Sequence, residues 1–462
     1  MEPLNQINCF EINKKIWKII GLWPADDTWK YHHIFSKILI AVLILLFDAL
    51  LTLNLCCMTK QLDVIIENTL FYFTAVVVAS KVITFLKERD GLIDIFNSLE
   101  SEMFQLCNDM EVKILKKANS FNIMYWKIVA IVSFTSHVAH FGVPVMLHFI
   151  FSVDLELPIC SYSFLSKDFI DTYRHLLYLY QCLGIQYLVL VNLNIDTFIL
   201  GLIIFVIAQL DILDLKLRTL TDHKTDEDNV DDVSEADMLK KLHQCVQHFE
   251  EISKFCDQIQ RVFSFIIFVQ FSMASCIICI CLFRFTMPAS TSYYIFLATY
   301  MSVMILQILV PSWFGSKMMH KSQLLPFAVY SCDWIPRSRR FKSSLRLFVE
   351  RANVPLCIVG GKMFILSLTT FTSMVFRYIF KMHVLIKLLE MHPNNIQLRL
   401  GTYYIDKLEY VIRNKDFIIK KLKINMKIMH LLFMINEALM KSKSSSIKEI
   451  RFLYTYILIC LF

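Results

Sequence analysis

Seven long apolar stretches run through this 462-residue chain, separated by polar gaps. They are Ile34–Leu55, Ile65–Leu86, Tyr125–Val153, Tyr173–Ala208, Val262–Phe285, Tyr293–Phe314 and Val354–Phe380. Each has the roughly 20 residues that a helix needs to cross a hydrocarbon core about 30 Å thick. Lysine and arginine crowd every second gap. Lys14, Lys15, Lys18 and Lys30 precede the first stretch, and Lys87, Arg89, Lys113, Lys116 and Lys117 follow the second. The fourth gap carries Lys216, Arg218, Lys240, Lys241 and Lys254, and the sixth carries Lys317, Lys321, Arg337, Arg339, Arg340, Lys342, Arg346 and Arg351. The odd gaps hold little beyond Lys60, Lys167 and Arg284. Basic residues stay on the cytoplasmic side during insertion, which puts the N-terminus and the even gaps inside. The pattern predicts an all-α polytopic membrane protein with seven transmembrane helices and a cytoplasmic N-terminus.

Two gaps continue the helical period. Leu92, Ile95, Phe96, Leu99, Met103 and Leu106 recur at helical spacing beyond the second span, and the leucine stripe of Ile207–Leu220 runs beyond the fourth. Helix is expected again at Met238–Arg261. Helical cytoplasmic extensions, about 209–261 and 315–360, should therefore form a packed layer, with the acidic stretch Thr221–Asp237 a solvated, mobile loop inside the first of them. Residues 1–33 form an N-terminal segment in which Trp17, Trp23 and Trp29 suit a headgroup-level anchor. That segment lacks the apolar core of a cleavable signal peptide.

Composition narrows the function. With 56% apolar and 19% charged residues, and a mean hydropathy of +0.52, the chain reads as a membrane protein throughout. Its net charge of +7 sits where the positive-inside rule puts it, so nucleic acid is not an expected partner. No phosphate-binding loop, nucleophile elbow or H-E-x-x-H motif occurs, and catalysis is not expected. Cys276, Cys279 and Cys281 lie mid-way along an apolar helix and read as packing residues, not as a zinc site. Cys56, Cys57 and Cys160 fall in exterior gaps, where a disulfide is permitted but its pairing is not readable. No metal or cofactor is expected.

Ionisable residues within spans each call for a reason, because burial in lipid is costly. Lys81 reads as an interhelical hydrogen bond or a chain reaching for the membrane surface. Asp48 and Asp196 stay open between ion handling and helix contact. Asn192, Asn194 and Asp196 gather acceptors within one turn, which suits helix–helix contact more than a pore. The outer halves of spans two, three, four and six are rich in aromatic and histidine side chains. Tyr72, Phe73, His137, His140, Phe141, Tyr178, Tyr180, Tyr187, Tyr294 and Tyr300 are candidates to cage a small, mostly apolar ligand; ordinary packing and an outer aromatic belt are the alternative.

The stretch Ser312–Val375 closely resembles the C-terminal signature of insect odorant receptors: A-x-Y-x-C-D-W, a basic helix ending near a proline, then G-K-x-F-x-x-S-L-x-T-F. Here those elements are Ala328, Tyr330, Cys332, Asp333, Trp334, Pro355, Gly361, Lys362, Phe364, Ser367, Leu368, Thr370 and Phe371. Gly21, Leu22, Trp23 and Pro24 are similar to the family's start, so the resemblance covers about residues 1 to 376. It implies an odorant-binding tuning subunit of a nonselective cation channel, assembled with a co-receptor subunit as a tetramer in the plasma membrane of olfactory neuron dendrites. It also implies a volatile hydrophobic ligand in the outer half of the helix domain (residues 34–380). The cytoplasmic extensions would be the subunit anchor, and a pore helix would start near Gly361, with Ser367 and Thr370 lining the path. Rivals are a gustatory receptor of the same superfamily and a secondary transporter; no internal repeat supports the latter.

The chain departs from that family after Val375. Family members end soon after the T-F motif, whereas this one continues through a basic tail, 381–462, with Lys407, Arg413, Lys420, Lys421, Lys441 and Arg451 among its cations. The tail is expected to be read-through sequence from a missing terminal exon, or else a divergent splice form without a normal gate.

Overall fold

The computed structural model describes residues 9–23, 32–57, 62–104, 108–152, 154–220, 232–285 and 291–375. These are almost wholly helical. The helices are α1 (Glu11–Ile19), α2 (His32–Ile40), α3 (Leu46–Cys57), α4 (Leu62–Lys87), α5 (Arg89–Leu99), α6 (Asp109–His137), α7 (Val143–Phe151), α8 (Lys167–Arg218), α9 (Asp232–Arg284), α10 (Thr291–Tyr330) and α11 (Arg339–Ala352). A π-helical turn at Ala41–Leu45 joins α2 to α3, and another at Val138–Gly142 joins α6 to α7. Two short antiparallel strands, β1 (Val359–Gly360) and β2 (Phe364–Ile365), precede a last helical segment at residues 368–375. Six of the described helical runs are long and apolar enough to cross a membrane.

The described residues divide between two compact units, one bounded by Met1–Lys60, Phe71–Gln270 and Val310–Thr370, the other by Gln61–Leu70, Phe271–Leu309 and Phe371–Phe462. The spine of the first is α8. Its span is 83% buried, whereas that of α6–α7 is only 6% buried and turns Ile131, Phe134, Met146, Phe149 and Ile150 outward. A helix apolar on every side belongs in a core or in lipid, and these two take one role each. Close approach to α8 uses its glycines: a Cβ on Gly184 would meet Phe47 at 2.6 Å, and one on Gly201 would meet Phe10 at 2.7 Å.

Several expectations change. Val354–Phe380 is not one continuous span: Pro355 has no N–H for an intrahelical bond, Gly361 takes φ +57°, and helix begins only at Leu368. The helix after the acidic loop starts at Asp232, six residues before Met238, while 221–231 lies outside the described residues. Trp17 is not a headgroup anchor. It is fully buried, with ring centroids 4.6 Å from Phe85 and 4.7 Å from Phe198, and Trp23 meets Phe96 edge to face beside it, at 5.6 Å. Trp29 and the tail 376–462 fall outside the described residues.

Candidate functional site

Several polar residues of α8 take partners from other elements. Lys81 of α4 is 0% exposed and donates to Asn192 Oδ1 at 2.6 Å and Asp196 Oδ1 at 2.5 Å. It does not reach for the membrane surface. Between Asn192 and Asp196 in sequence and turned to another side of the helix, Asn194 bonds α1: Asn13 Nδ2 donates to its side-chain oxygen at 2.9 Å, and its own amide returns a bond to the Asn13 carbonyl at 3.0 Å. Trp126 Nε1 also donates to Asn194 Oδ1, at 3.3 Å. The three acceptors seen in the sequence thus serve helix contact, as in other membrane bundles.

Towards the start of α8 lies the aromatic region. A π-helical turn leaves a carbonyl without its usual intrahelical donor, and such turns gather at functional sites. Both are met from α8. Tyr178 Oη donates to the Phe141 carbonyl at 2.7 Å, and Tyr180 Oη donates to the Val42 carbonyl at 2.8 Å. Around Phe141 stand His137, centroid 4.6 Å away, and His140 at 5.0 Å. Spacing two apart turns Tyr178 and Tyr180 to different sides of α8, so these candidates line two flanks instead of one cage. Tyr187 is elsewhere again, donating to the Ile20 carbonyl at 2.6 Å and holding the α1 segment. Tyr72 and Phe73 sit 6.2 Å apart on α4. In the second unit, Tyr294 stacks on Phe285 at 6.1 Å, and Tyr300 donates to the Leu70 carbonyl at 3.2 Å. No group of three metal-ligating side chains converges among the described residues.

Sequence reasoning missed the lid. The loop between α7 and α8 folds back onto α8, burying Leu155, Ile159, Cys160 and Tyr162. Gln181 of α8 holds it, accepting from Ile159 N at 3.0 Å and donating to the Cys160 carbonyl at 2.8 Å. Asn54 accepts from Ser163 N at 2.9 Å. Burial pushes the Cys160 thiol up to about 12. Cys56, Cys57 and Cys160 are all free thiols.

The family signature forms the turns at the far end of α10 and the entry to the last helix. Cys332 Sγ donates to the Val329 carbonyl at 3.0 Å, and the Tyr330 and Trp334 rings meet edge to face at 6.2 Å, closing the turn towards α11. Ser338 caps α11, accepting from Phe341 N at 3.3 Å. Arg351 pairs with Glu250 at 2.6 Å, Ser338 N donates to Glu235 at 3.1 Å and Lys321 pairs with Asp211 at 2.6 Å, so α11 and the second half of α10 are tied to α8 and α9.

Beyond Pro355, the β1–β2 hairpin hangs on α9. The Gln260 side chain donates to the Val359 carbonyl and accepts from Val359 N, both at 2.5 Å, imitating a neighbouring strand. Gly361 N donates to Ser264 Oγ at 2.9 Å. A Cβ on Gly361 would lie 2.7 Å from the Phe268 ring, so glycine is required for both space and φ. Ser367 then caps the last helix by accepting from Thr370 N at 3.2 Å, Thr370 Oγ1 donates to the Ile365 carbonyl at 2.7 Å, and Leu368 N donates to Ser316 Oγ at 2.7 Å. The G-K-x-F and S-L-x-T-F elements are thus a hairpin turn and a helix cap. Lys362 itself has φ +60° and is exposed at the tip.

These features define a predominantly helical, multi-pass membrane protein in which the last described helix is entered through a hairpin fixed to its neighbours. A family model described as the seven-transmembrane odorant receptor matches residues 61–376, and the chain belongs to that family. It is a receptor and not an enzyme. Odorant receptor 46a, isoform A, of Drosophila melanogaster is 22% identical over 349 residues, covering 75% of this chain and 88% of that receptor. Odorant receptor 2a of the same species is 25% identical over 217 residues, covering 46% of this chain and about half (54%) of that receptor. The solved olfactory receptor OR5 from Machilis hrabei, in complex with eugenol, has the same fold, with a TM-score of 0.71 at 17% identity over 83% of this chain and 100% of that one.

Proposed function

We propose that this chain is the odorant-binding tuning subunit of a ligand-gated, nonselective cation channel, assembled with a co-receptor subunit in the plasma membrane of olfactory neurons. The family match over residues 61–376 carries the reading. The N-terminus lies in the cytosol, the α7–α8 loop faces outside, and a small apolar volatile binds among the aromatic residues under that loop. An odorant of about ten heavy atoms at roughly 0.3 to 1.5 kcal/mol per atom suffices for micromolar binding. Opening requires that it fit the open form better than the closed one. Ser367 and Thr370 stand at the start of the pore helix, and Arg377 and Lys381 beyond them oppose cation flow in this form of the chain.

Co-expression with a co-receptor subunit and recording of odorant-evoked current tests this reading. Run with the present ending and with a family-like ending after Val375, current is expected only from the second. Equal currents from both would show that the tail does not obstruct the pore. No odorant-evoked current from the family-like form would refute the subunit assignment.

A further inference from the structure

The cations of the sixth gap crowd around one serine. Arg337, Arg339, Arg340 and Lys342 fall within six residues that include Ser338. Arg337 Nε donates to the Asp333 carbonyl at 3.2 Å, whereas Arg339, Arg340, Lys342 and Arg346 are exposed and join no ion pair among the described residues. Arg339 and Lys342 are three apart on α11, and Lys342 and Arg346 four apart, spacings at which like charges repel. Lipid headgroups lie too far away to offset them. Glu235 holds Ser338 N, and about 40 Å of α9 separates Glu235 from Val262, where the apolar run starts, at about 1.5 Å per residue. That is several times the roughly 8 Å over which charges act in physiological salt.

Ser338 itself is open to an enzyme. Residues 333–338 form neither helix nor strand, Ile335 is 70% exposed, and Ser338 is partly exposed with an extended backbone, φ −60° and ψ 163°. A kinase groove that takes an extended stretch as far as Arg340 therefore requires only the first turn of α11 to open. Kinases choose substrates by charge pattern, and a groove lined by carboxylates fits a serine with arginine on both sides.

We propose that Ser338 is a phosphorylation site for a protein kinase that selects serines flanked by basic residues. Resting on the receptor reading above only in placing this turn in the cytosol, it adds a mode of regulation. The kinase's base takes the Ser338 hydroxyl proton, Oγ bonds the γ-phosphorus of magnesium-bound ATP, and the bond from that phosphorus to the bridging oxygen breaks, releasing ADP. The new group carries about −1.5 to −2 charges near pH 7. It stands among Arg337, Arg339 and Arg340, and beside the Glu235 carboxylate that accepts Ser338 N at 3.1 Å. Opposite charge draws the arginines in and like charge drives Glu235 off, so phosphorylation breaks the tie between the start of α11 and α9.

The test incubates the solubilised full chain with magnesium-ATP and the catalytic domain of protein kinase C, then locates phosphate by tandem mass spectrometry. Ser338 should carry it. Ser338→Asn, which keeps a helix cap but has no hydroxyl, should lower total incorporation at least fivefold. Arg339→Gln with Arg340→Gln should slow incorporation at least tenfold. Hydrogen exchange reads the consequence: the Ser338 amide should exchange at least tenfold faster after phosphorylation, and in Glu235→Gln the change should stay below twofold. Absence of phosphate from Ser338, its appearance on Ser343 or Ser344 instead, or an unchanged Ser338 amide would overturn the proposal. Locating the phosphate on the wild type needs no variant to fold. Neither readout needs odorant or current, so failure here leaves the receptor reading standing, and a silent channel leaves this site standing.

Discussion

Lys81 and Asp196 show how a single pair governs a membrane helix contact. Together they neutralise each other in a buried place; either alone is an uncompensated charge. Replacing one partner of such a pair costs about 3–5 kcal/mol, whereas exchanging both for apolar residues is often neutral or stabilising. Asp196→Asn should therefore lower the thermal midpoint of the solubilised receptor sharply, and Lys81→Met with Asp196→Leu should restore most of the loss. A second residue-scale expectation concerns the lid. Because burial pushes the Cys160 thiol up to about 12, it is fully protonated at pH 8, and the thiolate is the reactive form. A membrane-impermeant maleimide applied to intact cells should label exposed Cys56 and Cys57, and a Cys56→Ser/Cys57→Ser variant should take up label on the lid only after denaturation. Prompt labelling of that variant at Cys160 would mean an open loop.

At the scale of elements, the hairpin before the last helix is the part most dependent on backbone geometry. Gly361 combines a left-handed φ with contact against Phe268, and strain of that kind costs of order 1–3 kcal/mol. Gly361→Ala should destabilise the receptor by about that amount or more, while Lys362→Gly, relieving the neighbouring left-handed residue, should be neutral or mildly stabilising in the same unfolding assay. The sequence marked this region as a signature but read it as span, because Val354–Phe380 is apolar enough to be one. Nothing local reveals that Gln260 and Ser264, nearly a hundred residues earlier, hold the strand there. The helices themselves were legible from their apolar runs, down to the extensions of α8 and α9. The two π-helical turns were not, since their extra residue is stabilised by tyrosines brought from α8.

For the whole molecule, orientation is the quantity on which ligand access, lid and pore direction rest. An epitope placed before Glu11 should be reached by antibody only in permeabilised cells, and one inserted at Glu156 should be reached in intact cells. Staining in the opposite sense would reverse the topology. The N-terminal segment is also part of the packed structure. Trp17→Ala removes a fully buried ring, a change that costs about 3–5 kcal/mol, and should cut the yield of folded receptor as judged by size-exclusion profile.

The chain's one-dimensional pattern determined where the six long apolar helices of the described residues run and which family the chain belongs to, because lipid demands long apolar runs and the signature residues lie close together in sequence. Only the tertiary structure decided which polar groups meet: Lys81 with Asp196 across 115 residues, Gln181 with the lid, Tyr180 with Val42, and Asp48 with none of them. Those pairings follow from how helices rotate and approach, and a buried polar atom's cost or benefit depends on that rotation far more than on the identity of its neighbours in sequence.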